Sequence, residues 1–263
     1  MSSYVLRAFE RPSARGALLF ERNLMSYRRM WIIILSGFFE PLFYLLSLGF
    51  GLGAYVGDVT EGGFTVTYAA FVAPGLLAAS AMNGAFYDAT NIFWKLRYQK
   101  LYDAVLATPL GPRDVAVGET AWALFRGLVY AVGFFSVMAA LGLVESWWAV
   151  LALPATLFVG FAFAGAGIAA VTYMRSWQDF DALNLVMLPM FLFSATFFPL
   201  AVYPEWLQGV VQATPLYHAV SLVRGLTTGV VGIAQLVDVA YLAALGIAGT
   251  WLAARRIERL LLT

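Results

Sequence analysis

Six stretches of this chain are long and apolar enough to cross a bilayer, at roughly 31–52, 68–93, 120–144, 148–174, 182–201 and 236–254. A spanning helix needs about 20 mostly apolar residues, because the hydrocarbon core is about 30 Å thick. The chain is 62% hydrophobic and only 12% charged, whereas soluble domains carry about a quarter charged residues. A soluble fold of 263 residues has no way to hide that much apolar surface, so lipid is the solvent for much of it. The sequence therefore predicts an all-α membrane protein with six transmembrane helices.

Charge placement orients those helices, since cytoplasmic loops of membrane proteins carry an excess of Lys and Arg. Six crossings put fourteen of the sixteen basic residues on one side. These are Arg7, Arg11, Arg15, Arg22, Arg28 and Arg29, then Lys95, Arg97, Lys100 and Arg113, then Arg175, Arg255, Arg256 and Arg259. Arg224 alone falls on the other side, and Arg126 lies within the third stretch. Both termini are thus expected in the cytoplasm. The first thirty residues lack the apolar core of a cleavable signal peptide. We read residues 1–30 as a retained cytoplasmic segment and 31–263 as one six-helix membrane domain.

Three segments outside the spans carry pattern. Residues 16–30 mix Leu18, Leu19, Met25 and Tyr27 with Arg22, Arg28 and Arg29. That suits a helix lying along the inner surface; a plain basic anchor is the alternative. Residues 94–118 hold Leu96, Leu101, Val105 and Leu106 before Pro109 and the Gly111-Pro112 turn. This is either a short amphipathic helix fit for a groove on another protein or a solvated loop with a few buried leucines. Residues 204–228 are amphipathic and broken at Pro215. They read as two short helices re-entering the outer leaflet, or as a hairpin on its surface. Irregular backbone at that depth is tolerated only against protein or water.

The sequence also excludes chemistry. There is no Cys and a single histidine, His218, so disulfides, thiolate catalysis and a His-rich metal site are out. A net charge of +1 gives no field to attract nucleic acid. No phosphate-binding P-loop, G-x-S-x-G or H-E-x-x-H motif occurs. Asp179 and Asp181 could hold a divalent metal for a membrane glycosyltransferase, although acids in such a turn more often cap a helix.

Ionisable groups within the apolar stretches are costly, by about 2.5–3.5 kcal/mol on insertion scales. Glu40, Asp88 and Arg126 are such groups, and either acid could partner Arg126. They form a structural pair or line a gate; a proton-coupled secondary transporter would use Glu40 and Asp88. Gly160, Ala164, Gly165 and Gly167 permit close helix packing, within the chain or against a second copy. Phe191, Phe193, Phe197 and Phe198 either face lipid or core, or line a cargo path.

Several pieces together resemble a family. They are EPLFYLLSLGFGLG from Glu40, YAAFVAPGLLAASAM from Tyr68, KLYDAVLATPL from Lys100, GETAWA from Gly118, FLFSATFFPL from Phe191 and PLYHAV from Pro215. In this order, over nearly the whole chain, they resemble type-2 ABC export permeases, and within them the NodJ-like lipooligosaccharide and drug exporters. Where those tend to carry Asp before the first-span proline, this chain keeps an acid, Glu40. The resemblance implies two permease subunits, this chain with itself or a relative, working with two separate ATPase subunits that bind ATP and Mg. No cofactor is implied for this chain. Lys100, Leu101, Tyr102, Asp103, Ala104, Val105, Leu106 and Thr108 would form the coupling helix that docks on the ATPase. The N-terminal helix would be a second contact. Pro215 and His218 would lie near an outer gate, and the expected cargo is an amphipathic molecule such as a lipid-linked saccharide, glycolipid or hydrophobic drug.

Overall fold

In the computed structural model, residues 15–27, 39–99, 101–176 and 178–262 are described. Expectations on residues 1–14, on 28–38 (with Arg28, Arg29 and the start of the first stretch) and on Lys100 lie outside them. Helix α1 spans Arg15–Tyr27. Helix α2 covers Phe39–Val56, with Leu45–Leu52 wound as a π-helix. An antiparallel hairpin follows, β1 Asp58–Glu61 and β2 Phe64–Thr67, in register Glu61 with Phe64 through Asp58 with Thr67. The all-α expectation is corrected there: alternating Val59 and Val66 tuck inward while Thr60 and Thr65 pair across the outer face.

Helix α3, Tyr68–Arg97, begins where the Thr67 hydroxyl accepts from Ala70 N. The short helix α4, Leu101–Leu106, leads to α5, Pro112–Ala140. Pro112 occupies the first helical turn of α5, and Asp114 Oδ2 accepts from Gly111 N to close that end. Then come α6, Ala152–Val171, entered through a tight turn at Trp147–Leu151, and α7, Asp179–Leu192. Helices α8, Glu205–Gln212, and α9, Pro215–Thr228, precede the last helix, α10, Ile233–Leu262. Among the described residues five helices meet the length and hydropathy of a membrane crossing: α2, α3, α5, the Trp147–Val171 segment and α10.

Helix α3 is the axis of the bundle, almost wholly buried and met by α2, α5, α6 and α9. Its many alanines, among them Ala69, Ala73, Ala78 and Ala81, let neighbouring backbones come close. In lipid, where burying apolar surface against protein gains little, such close packing is what holds helices together. The α6–α10 seam uses the same device. A Cβ on Gly165 would lie 2.8 Å from Gly246 O, and one on Gly249 would lie 2.5 Å from Ala166 N. The small residues of the fourth stretch therefore serve packing within the chain at Gly165.

The fifth apolar stretch departs from expectation. Phe180, at the start of α7, packs edge-on against Phe93 near the C-terminal end of α3. Leu200 N donates to Glu61 Oε1, next to the other end of α3, at 3.0 Å. The chain from 180 to 200 thus travels the length of α3, but it is helical only to Leu192. Fourteen residues of helix reach about 21 Å at about 1.5 Å per residue. Beyond Leu192 the backbone is irregular, with Ala195 at φ 55°. It is pressed onto α3, where a Cβ on Gly75 would sit 3.1 Å from Thr196 Cα.

Gly249→Leu is expected to lower the melting temperature and the monodisperse yield in detergent, because overpacked cores lose about 1–3 kcal/mol or more. Gly127→Ala on α5 meets nothing within 4 Å and is expected to be neutral in the same thermal scan.

Candidate functional site

At the end of the bundle that holds α1 and α4, a polar node sits beneath the α3–α5 connection. Lys95 Nζ, in the last turns of α3, reaches Glu119 Oε2 of α5 at 2.6 Å. Asn23 of α1 joins them: its Nδ2 donates to Glu119 Oε2 at 3.1 Å and its Oδ1 accepts from Lys95 Nζ at 3.2 Å. Around the node, Leu19 fills the space beside Gly118, and Phe20 packs edge-on against Trp122 and Phe125. Helix α1 is therefore bound to α5 along its length.

The segment predicted as a coupling helix crosses above this node. In α4, Val105 is buried and Leu101 half-buried, Leu110 beyond it is buried too, while Ala104 and Thr108 are exposed. Thr108 Oγ1 donates to Val105 O at 2.5 Å and closes the helix. Val105 and Leu110 join a core formed with Leu19, Phe93, Val115, Met174 and Phe180. Tyr102, Asp103 and Leu106 belong to the same helix.

Deeper in the bundle, Arg126 Nη1 lies 2.9 Å from Asp88 Oδ1, with only 5% and 3% of the two side chains exposed. Asn91 Nδ2 donates to the same carboxylate oxygen at 3.4 Å, and the guanidinium lies over the Tyr130 ring at 5.7 Å. Glu40, the other candidate partner, faces away. It is exposed and lines a cleft of about 480 Å³ between α2, α3 and α7, with Tyr44, Asn83, Asp181, Asn184 and Phe191. Of the phenylalanines, Phe191 faces this cleft and Phe197 is buried against it, edge-on to Phe191, while Phe193 and Phe198 are exposed. The cleft has apolar walls with carboxylates and amides among them, which suits an amphipathic molecule bearing hydroxyls.

At the hairpin end, Arg224 of α9 is buried. Its Nη2 donates to Ala195 O at 2.7 Å and Thr196 O at 3.4 Å, its Nε to Phe71 O at 3.2 Å, and its Nη1 to Glu61 Oε2 at 3.4 Å. The guanidinium also lies 3.8 Å from the Phe71 ring centre. Pro215 opens α9, whose N-terminus is capped by Thr214 Oγ1 accepting from Tyr217 N. His218 pairs with Asp238 of α10 at 2.7 Å and stacks on Tyr241 at 4.1 Å. Sequence reasoning found His218, Asp88 and Arg126 but missed the partners Glu119, Glu61 and Asp238. An acid inside or beside an apolar stretch was the available signal.

Asp179 is occupied locally: its Oδ2 accepts from Arg175 N at 2.7 Å and Ser176 N at 3.2 Å. Those backbone donors hold its carboxyl below the usual range. It acts as a turn cap, and Asp181 points into the cleft instead. Among the described residues no three His, Cys, Asp or Glu side chains gather to hold a metal.

Long apolar helices around a buried axis, with charges paired inside, define a multi-pass membrane protein. Residues 16–227 match the family model of the ABC-2 type transporter, and the chain belongs to that family as a membrane subunit. It is 34% identical to nodulation protein J of Rhizobium leguminosarum bv. trifolii over 87% of each chain. It is 34% identical to nodulation protein J of Sinorhizobium fredii over 78% of each. It is 24% identical to the inner membrane transport permease YadH of Escherichia coli over 82% of each.

Arg126→Ala strands a buried carboxylate and is expected to cost about 3–5 kcal/mol of stability. Adding Asp88→Asn should restore most of the melting temperature, whereas Glu40→Gln should leave it unchanged in the same scan.

Proposed function

We propose that the chain is the permease half of an ATP-driven exporter, in which two permeases pair with two copies of a separate ATPase that binds ATP and Mg. The second permease is another copy of this chain or a close relative. In this reading residues 31–263 make six crossings, the fifth being α7 plus the irregular run that follows it. Residues 1–30 precede them, and the basic loops and both termini face the cytoplasm. Helices α8 and α9 re-enter the outer leaflet, with Pro215 and His218 beside the outer gate.

The anchoring of α4 carries the proposal. Ala104 and Thr108 stand exposed while Val105 and Leu110 sink into the core, and Lys95–Glu119 ties together the two helices that α4 joins. A helix held this way passes a push from a docked partner into α3 and α5 rather than yielding itself. Closing of the ATPase pair on ATP would supply the push, since a ligand shifts a conformational equilibrium only through its differential affinity for the two states. Helix α1, joined to α5 through Asn23 and Glu119, offers the second contact.

The cargo in this reading is amphipathic, such as a lipid-linked saccharide, a glycolipid or a hydrophobic drug, taken from the cytoplasm or inner leaflet. The cleft with Glu40, Asn83, Asn184 and Phe191 supports it, since it pairs apolar walls with hydrogen-bonding groups. A proton-driven transporter is less well supported. A relay needs connected titratable groups, and Asp88 is committed to Arg126 while Glu40 takes no ion-pair partner among the described residues.

The test uses the permease purified with its ATPase and reconstituted in vesicles. Asp103→Pro, within α4, should leave insertion and folding intact but reduce cargo-stimulated ATP hydrolysis and transport at least about ten-fold, the effect expected when about 1.4 kcal/mol of coupling is lost. Ala104→Cys should crosslink to a cysteine on the ATPase surface. Coupled transport at the wild-type rate in Asp103→Pro would remove the docking assignment, and transport by the permease without any ATPase would remove the exporter reading itself.

A further inference from the structure

Among the described residues, the cations buried inside the bundle are matched to carboxylates: Lys95 to Glu119, Arg126 to Asp88 and Arg224 to Glu61. Two arginines at the exit of α10 are arranged differently. The Arg255 guanidinium lies 3.8 Å from the centre of the Trp251 ring, one turn back on the same helix. The Arg256 guanidinium lies 4.7 Å from the centre of the Tyr173 ring, two residues past the end of α6. Neither has a carboxylate within 4 Å among the described residues, although Glu258 is close in sequence. Arg256 Nε is sealed from solvent with no acceptor. The rings beneath them are half out of the protein, Trp251 at 55% and Tyr173 at 54% exposure.

We propose that Arg255 and Arg256 form a binding site for the phosphate headgroup of an anionic phospholipid. Trp and Tyr favour the membrane–water boundary, so these rings place the two guanidiniums at headgroup depth, at the end of an apolar crossing. A ring beneath a guanidinium holds it in place without using its terminal Nη donors, which remain for phosphate oxygens even where Nε of Arg256 is sealed. Ala253 and Ile257 face the core, so the other side of α10 looks outward. There Ile247 and Trp251, one turn apart and in line with Arg255, are exposed and give an acyl chain an apolar track leading away from the arginines. That track selects a lipid over free phosphate. Two uncompensated positive charges select a net-negative headgroup over a zwitterionic one. The site requires only that α10 crosses a bilayer; it does not depend on an ATPase or on the identity of the cargo.

Native mass spectrometry of the full chain, purified in mild detergent with equal phosphatidylglycerol and phosphatidylcholine, tests it. The wild type should retain phosphatidylglycerol in preference. Each of Arg255→Gln and Arg256→Gln should lower that retention about five-fold, with phosphatidylcholine retention unchanged and a monodisperse gel-filtration profile. Arg255→Lys should retain more than Arg255→Gln, because the charge is kept. Equal retention of the two lipids by the wild type would overturn the proposal whether or not the variants fold. So would undiminished phosphatidylglycerol in the double Gln variant, or displacement of the lipid by millimolar inorganic phosphate alone.

Discussion

Where α7 stops at Leu192, the buried carbonyls of Ala195 and Thr196 have lost their helical partners, and Arg224 takes them. A buried polar group left unpaired costs about 1–3 kcal/mol, so the broken helix persists only because protein supplies donors. Arg224 supplies them to Ala195 and Thr196, and Ser194 and Thr196 bond each other at 2.8 Å. The same guanidinium would itself be costly without Glu61, which arrives from the hairpin and also accepts from Leu200 N. One side chain of α9 thus sets the relation of the hairpin, the axis helix α3 and the irregular run. Gly75 lets the run lie close on α3, since a Cβ there would come within 3.1 Å of Thr196 Cα, tighter than ordinary contact.

The opposite end is pinned by different chemistry. Lys95 and Glu119 lock the end of α3 to α5, and Asn23 adds α1 to the lock. Further in, Asp88 and Arg126 join the same two helices again. Two polar ties at different depths resist both sliding and splaying, so α3 and α5 move as one body. At the far end the same axis helix is tied again, where Phe71 O of α3 accepts from Arg224 Nε.

Much of this was legible in the sequence, and the remainder has identifiable causes. The apolar lengths announced the five helices that are long and apolar enough to cross a membrane among the described residues. Pro215 marked the division of 204–228 into two short helices, and it opens the second of them. The break after Leu192 was illegible because FLFSATFF is apolar but for Ser194 and Thr196: hydropathy counts such a run as helix, whereas the left-handed Ala195 sits among tertiary contacts, its own carbonyl held by Arg224 and Thr196 pressed on Gly75. The choice of Asp88 over Glu40 for Arg126 depended on how each helix is rotated about its axis, which depth alone does not determine. Glu119 and Glu61 find partners 24 and 163 residues away, a separation at which no local pattern carries information. The hairpin was missed because eight strand residues in an outer loop give too short an alternation to stand out.

The bundle divides into a stiff part and a pliable part. Helices α3, α5, α6 and α10 are continuous and interlocked, and the α6–α10 seam brings backbones so close that a single methyl at Gly249 has no room. Helices α2 and α7 are different. The middle of α2 is π-wound and rich in glycine, and π segments recur at functional sites because they loosen the regular hydrogen-bond ladder. Helix α7 carries Pro189 inside its last turn and gives way to irregular backbone. Both expose most of their apolar side chains, so few packed contacts hold them. The cleft with Glu40 and Phe191 lies between these two helices and is backed by α3. The α2–α7 side is therefore where contacts are cheapest to change, beside an axis helix that is packed almost throughout.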